Sequence, residues 1–164
     1  MTREPKWITK AMALAFHERL LALHGGTPGL LDEGRLDAAL DSPKNRFHYA
    51  SEKPDMFHLA AAYDFALTRD HPFVDGNKRM ALVVAGVFLE LNGFRLEASE
   101  GEAFSATDAL ASRELDEEQF EKWLRDSSKK LRSMTTIGPR TRKKQAGRAP
   151  LKSTRKPAKK KRSK

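Results

Sequence analysis

Between His71 and Arg79 the chain reads HPFVDGNKR, and the apolar run MALVVAGVFL follows at once. An imidazole, a carboxylate, an amide, a glycine and two cations thus stand almost side by side. An imidazole titrates near neutrality, so His71 is suited to take a proton from an attacking hydroxyl. If Asn77 opens a helix, its first amides have no acceptor within that helix, and the helix dipole places partial positive charge there. Such an end binds anions, phosphates above all. Gly76 lets the backbone approach a ligand with no Cβ in the way. Lys78 and Arg79 oppose the dipole at this end, a conflict that a bound polyanion would remove. Asp75 is the odd group beside two cations, and a magnesium ion bridging it to phosphate oxygens accounts for it. Phe73 is expected to point into the core and pin the loop. The plainer alternatives are an N-cap or turn carboxylate at Asp75, a turn histidine at His71, and a solvated first turn at Lys78 and Arg79.

The elements that must position these groups read as helices. Residues 10–24 place Met12, Phe16, Leu20 and Leu23 on one stripe, with Thr9 as N-cap and Gly25-Gly26 as the stop. GGTPGLLDEGR is turn chemistry, and a short helix over Glu33–Leu40 is expected to end before Pro43. SPKNRFHYASEKP then reads as a loop. Met56, Ala60, Tyr63 and Leu67 mark a helix over 55–69 whose alanines permit close approach. The helix over 77–92 is apolar on almost every side, so it is expected to form the buried centre of a bundle, and Asn92-Gly93 ends it. Helices over 99–112 and 116–131 complete the set, the last facing Phe120, Trp123, Leu124 and Leu131 inward. FRLE is the one short strand candidate. The fold class is all-α.

With 164 residues, the chain is long enough for one domain and an appendage. It has no cysteine, which removes disulfides and thiolate metal sites. Its first residues lack the apolar core of a secretory signal, and its longest apolar run is too short to span a bilayer. A cytoplasmic protein without a membrane segment is expected. The net charge of +9 is unevenly placed: 16 of the 31 Lys and Arg, and no Asp or Glu, lie in residues 127–164. The first 126 residues therefore carry 15 basic against 22 acidic side chains, a net of −7. Residues 1–131 are expected to form the domain. Residues 132–164 are expected to be a disordered basic tail, since such a composition buries too little to offset its ordering entropy. The tail could hold nucleic acid by charge alone. His17 and His24 do not make the HExxH zinc pattern, no phosphate-binding P-loop is present, and His48 and His58 read as structural or surface residues.

HPFVDGNKR resembles the signature of the Fic/Doc (Fido) superfamily, and specifically its death-on-curing (Doc) branch. HGGTPGLLDEGRLDAAL, SPKNRF, DMFHLAAAYDFALTRDHPFVDGNKRMAL and VFLELNGF resemble segments of that family in the same order, from about Trp7 to Leu124. The resemblance implies an all-helical core and the toxin half of a toxin–antitoxin pair, with a Phd-like antitoxin as partner. Typical Fic enzymes carry HxFx[DE]GNGRxxR and transfer AMP to hydroxyls. Here Lys78 replaces the second glycine of GNG and Leu82 stands at the final arginine, both as in the Doc branch, whose lysine crowds the nucleotide phosphate site. Doc enzymes are similar to kinases that phosphorylate a threonine of elongation factor Tu and stop translation.

By that resemblance His71 is the general base and Asp75 holds Mg2+. Phe73, Gly76, Asn77, Lys78 and Arg79 form the set that binds ATP. Gly76 stands where some Doc proteins have alanine, and Met80 where threonine is common, which leaves AMP transfer as the competing chemistry. A silent interaction module with a nucleic-acid-binding tail is the alternative from another class.

Overall fold

The computed structural model describes residues 3–132, so the expectation of a disordered tail falls, but for Arg132, outside the described residues. Six helices and two three-residue strands make up the described residues: α1 Lys10–His24, α2 Glu33–Tyr49, α3 Met56–Asp70, α4 Asn77–Leu91, β1 Phe94–Leu96, α5 Glu100–Ala111, α6 Glu117–Asp126 and β2 Ser128–Lys130. The fold is all-α, and none of these helices is long and apolar enough to cross a membrane.

Local chemistry sets most of the boundaries. The Thr9 hydroxyl accepts from the Met12 amide at 3.2 Å, and Asp55 caps α3 by accepting from Phe57 and His58. Reciprocal capping boxes, Ser99 with Glu102 and Asp116 with Gln119, open α5 and α6. Two ends differ from the spacing. α2 does not stop at Leu40 but runs through Pro43 to Tyr49. An interior proline costs about 3 kcal/mol. Yet Leu36, Leu40, Pro43 and Phe47 fall on one buried face, and burying the phenylalanine and leucines offsets that loss at about 1.5–3 kcal/mol each. α6 in turn stops at Asp126, and β2 pairs antiparallel with β1, Phe94 opposite Lys130. Residues 125–130 are all polar, so the turns that would carry the helix on to Leu131 have nothing to bury, whereas β1 offers unpaired backbone partners.

α3 is the more enclosed of the two central helices, a change from the expectation that α4 holds that place. It packs against α2, α4, α5 and α6. Ala60, Ala61, Ala62 and Ala66 are all buried and let these neighbours close around it. α4 buries Met80, Ala81, Val84, Ala85, Phe88 and Leu89, while Leu82 and Val83 stay half-buried because they face a cavity rather than the core. α1 also rotates from its expected stripe. Ala13 and His17 are its buried residues, Met12, Phe16 and Leu20 flank them, and Leu23 is 60% exposed. The small Ala13 brings α1 close to α4, and His17 has a separate task at the motif.

Candidate active site

The motif segment is the connection between the two central helices. α3 ends on His71, whose backbone is left-handed (φ 46°, ψ 61°) and whose amide donates to the Leu67 carbonyl. That twist turns the chain sharply, so His71 projects outward while Pro72 and Phe73 go inward. Phe73 is 2% exposed and stacks on the His17 ring, with centroids 3.9 Å apart and planes 13° apart. The expectation that Phe73 pins the loop is met; its ring holds the site from beneath and does not line the cavity.

The residues between α1 and α2, read from the sequence only as a turn, run antiparallel alongside this connection. Leu30 and Phe73 form an antiparallel bridge. Val74 donates to the Gly29 carbonyl at 3.0 Å, and Leu31 and Asp32 both donate to the Pro72 carbonyl. At Gly26 (φ 123°) an added Cβ would lie 2.8 Å from Asp75 Oδ2, so only glycine allows the two segments to come this close.

His17 completes the clamp. It is buried, and its Nε2 donates to the Asp75 carbonyl at 2.8 Å. Spacing alone could not find this, since His17 lies outside the motif and its partner is a backbone atom. Replacing His17 with phenylalanine should keep the stack and lose the hydrogen bond, worth about 1 kcal/mol. We expect a modest fall in thermal stability and a fall of about tenfold or more in any activity of the site, because a displacement near 1 Å costs far more in rate than in folding. An activity equal to the parent protein's would remove His17 from the positioning of Asp75.

Asp75 is not the N-cap of α4. That place belongs to Gly76 (φ 78°, ψ 13°), which supplies no side-chain acceptor, so the first amides of α4 are not capped from the side. Asp75 Oδ2 accepts from the Thr27 amide at 3.1 Å and Oδ1 from the Gly76 amide at 2.7 Å. Those two hydrogen bonds, Thr27 first, hold its carboxyl below the usual carboxylate range, and the charge of Arg79 adds to the effect. Each oxygen keeps an open lone pair. This fits magnesium, which takes one or two carboxylates and completes its shell with phosphate oxygens and water. No three His, Asp or Glu side chains converge on a protein-only metal cage among the described residues.

Asn77 is more occupied than its place in the motif suggests. It is 7% exposed, and its amide clasps the Phe73 backbone at both ends, accepting at 2.9 Å and donating at 2.8 Å. Its side-chain amide is thus spent on the loop, although Asn77 also borders the cavity of the motif. Lys78 forms an ion pair with Asp108 of α5, and Arg79 is exposed with no ion pair among the described residues. His71, Asp75, Gly76, Lys78 and Arg79 line a cavity of about 360 Å³ with Phe104 at its wall. A second, more apolar cavity of about 460 Å³ shares Arg79 and Phe104 with it and adds Leu20, Leu82 and Val83. His48 and His58 lie away from this place, where His58 Nδ1 meets Glu121 at 2.9 Å and His48 approaches Glu4 at 3.6 Å.

A model of the Fic/DOC family matches residues 7–89, about half of the chain and all of the motif. The chain belongs to the Fic/DOC family. It is similar to the protein kinase doc of Escherichia phage P1, 39% identical over 83 residues, which is 51% of this chain and 65% of that one. It is also similar to the toxin Doc of Mycolicibacterium smegmatis (strain ATCC 700084 / mc(2)155), 40% identical over 74 residues, 45% of this chain and 57% of that one. The chain spans less than two thirds of the length of either relative. Both are Doc proteins, the branch whose spelling Lys78 and Leu82 share. Within this family member the motif is therefore held by three elements distant in sequence: α1 through His17, the 25–32 segment through Asp75 and Pro72, and α5 through Lys78.

Proposed function

We propose that this Fic/DOC member is a Doc-like toxin that moves the γ-phosphoryl group of ATP to a hydroxyl side chain of a protein target. The observation that carries this reading is the motif cavity itself. An uncapped helix N-terminus, two cations and a charged carboxylate converge there under an exposed imidazole. A nucleotide suits the pair of cavities, with its phosphates at Gly76–Arg79 and a flat apolar portion among Leu20, Leu82, Val83 and Phe104.

In the proposed reaction His71 accepts the proton of the target hydroxyl as the oxygen attacks the γ-phosphorus. The bond from that phosphorus to the bridging oxygen breaks, and ADP leaves with the electron pair. Lys78, Arg79 and the amides of the first turn of α4 hold the phosphates in line. Asp75 would hold magnesium, which when bound offsets the phosphate charge. By the family's pattern the target is elongation factor Tu, the outcome is inhibited translation, and a Phd-like antitoxin is the partner. Two relatives support this branch by name, one a protein kinase and the other a toxin.

AMP transfer is the second reading, favoured by Gly76, which keeps the loop spelling of the AMP-transferring enzymes. Incubating a translation extract with the protein and ATP labelled at the α- or the γ-phosphate separates the two. γ-label and a mass gain of one phosphate on a protein support the proposal. α-label with a gain of one AMP replaces it with the second reading. No label from either form removes the enzyme.

A further inference from the structure

Lys78 is claimed from two sides. It lines the motif cavity, yet its ammonium pairs with the Asp108 carboxylate one helix away. Asp108 is not a loosely placed partner. The residue before it, Thr107, is fully buried and donates at 3.1 Å to Asp64 of α3, which fixes the rotation of α5 at this point. One turn earlier, Phe104 of the same helix walls the cavity. Arg79, the other cation, is bound to no carboxylate among the described residues. The two cations of the pocket are therefore unequal. One is available, and one is held by a carboxylate on a firmly seated helix.

We propose that Asp108 is a specificity-determining residue of the anion pocket: it occupies Lys78 as a phosphate surrogate, so a ligand gains Lys78 only by displacing it. This rests on the phosphate-binding reading above. A short anion that needs only Arg79 and the helix amides escapes the competition. A polyphosphate long enough to reach Lys78 must displace the carboxylate and tolerate its charge nearby. Asp108 thus weakens binding of long polyphosphates more than that of short ones. The pair is partly exposed, so its effect is graded and falls as salt rises.

Calorimetric titration of the full chain with inorganic phosphate and with tripolyphosphate tests this without reliance on turnover. Asp108→Asn keeps the shape and removes the charge. We expect tripolyphosphate to bind it about three- to tenfold more tightly than the parent protein, from release of an exposed pair plus relief of like-charge repulsion. Inorganic phosphate should change by less than about twofold, as expected for an anion that does not reach the pair. In a Lys78→Met background the same substitution should lose most of its effect, the coupling that a double-mutant cycle reads. Equal tripolyphosphate affinity of the parent and Asp108→Asn would overturn the role of Asp108 and leave the phosphate site standing. So would a gain that persists undiminished without Lys78. If neither form binds any polyphosphate, the anion site fails, and both this inference and the proposed function fall with it.

Discussion

Replacing His71 with glycine is expected to lower transfer activity by about two to four orders of magnitude, the usual worth of a general base, while leaving the protein slightly more stable. The two effects have separate causes. The loss follows from removing the one imidazole that lines the motif cavity. The gain follows from the backbone, because His71 sits at φ 46° and closes α3 in a left-handed turn. That conformation costs a residue with a Cβ about 1–2 kcal/mol. Glycine adopts it freely but loses roughly 0.5–1 kcal/mol of extra chain entropy on folding, so the net gain should be at most about 1.5 kcal/mol. His71→Ala should lose the same activity with no gain in stability. Thermal denaturation and a transfer assay on both variants read the two effects independently. Wild-type transfer by either variant would remove His71 from the chemistry.

The second large effect is on stability and concerns Asp64. This carboxylate is fully buried in α3, one oxygen accepts from Thr107, and the other has no partner. Burial pushes its pKa up to about 7, against 3.8 for an unperturbed aspartate, and the Thr107 bond only partly opposes that. The folded protein therefore holds a proton that the unfolded chain releases at lower pH. The stability this proton confers is fully present below about pH 4 and is lost as pH rises through about 7. At 1.36 kcal/mol per unit the whole span amounts to at most about 4 kcal/mol. Asp64→Asn should flatten the profile over this range and be the more stable form at pH 8. Denaturant titrations between pH 4 and 8 decide it, and parallel profiles for the two proteins would refute the assignment.

The helices and the Thr9 cap are read from residue spacing. Asp55, Ser99 and Asp116, which head the helices expected over 55–69, 99–112 and 116–131, turn out to be their caps, each acting on amides within three residues of itself. The motif was legible for a similar reason. Its residues are contiguous, so their types and their place at the head of an apolar run are visible together. What stayed hidden depends on distant partners. The stripe Leu36, Leu40, Pro43, Phe47 is periodic, but a proline rule weighs against it unless the burial of Phe47 is known. β2 exists because β1 passes beside it, a fact of tertiary placement. His17 and Asp108 look like ordinary helix-surface residues until α1 and α5 are laid against the motif. Asn77 shows the converse: its place in the motif is visible from the spacing, but that its side-chain amide clasps Phe73 while it borders the cavity is visible only in the fold.

The position of α1 carries a dynamic consequence. Among the described helices this one packs chiefly on α4 and more thinly on α2, and it fully buries Ala13 and His17, with Met12, Phe16 and Leu20 half-buried beside them. Elements with so little buried surface open locally at a free energy well below that of global unfolding. Each such excursion withdraws His17 from Phe73 and from the Asp75 carbonyl, so the motif loses its clamp while the α3–α4 core stays folded. The fraction of molecules competent at any instant is then set by α1 docking rather than by the stability of the whole domain. Amide exchange in α1 should run faster than in α3, and activity should fade on warming before the helical signal does. Coincident loss of the two would mean that α1 and the core open as one unit.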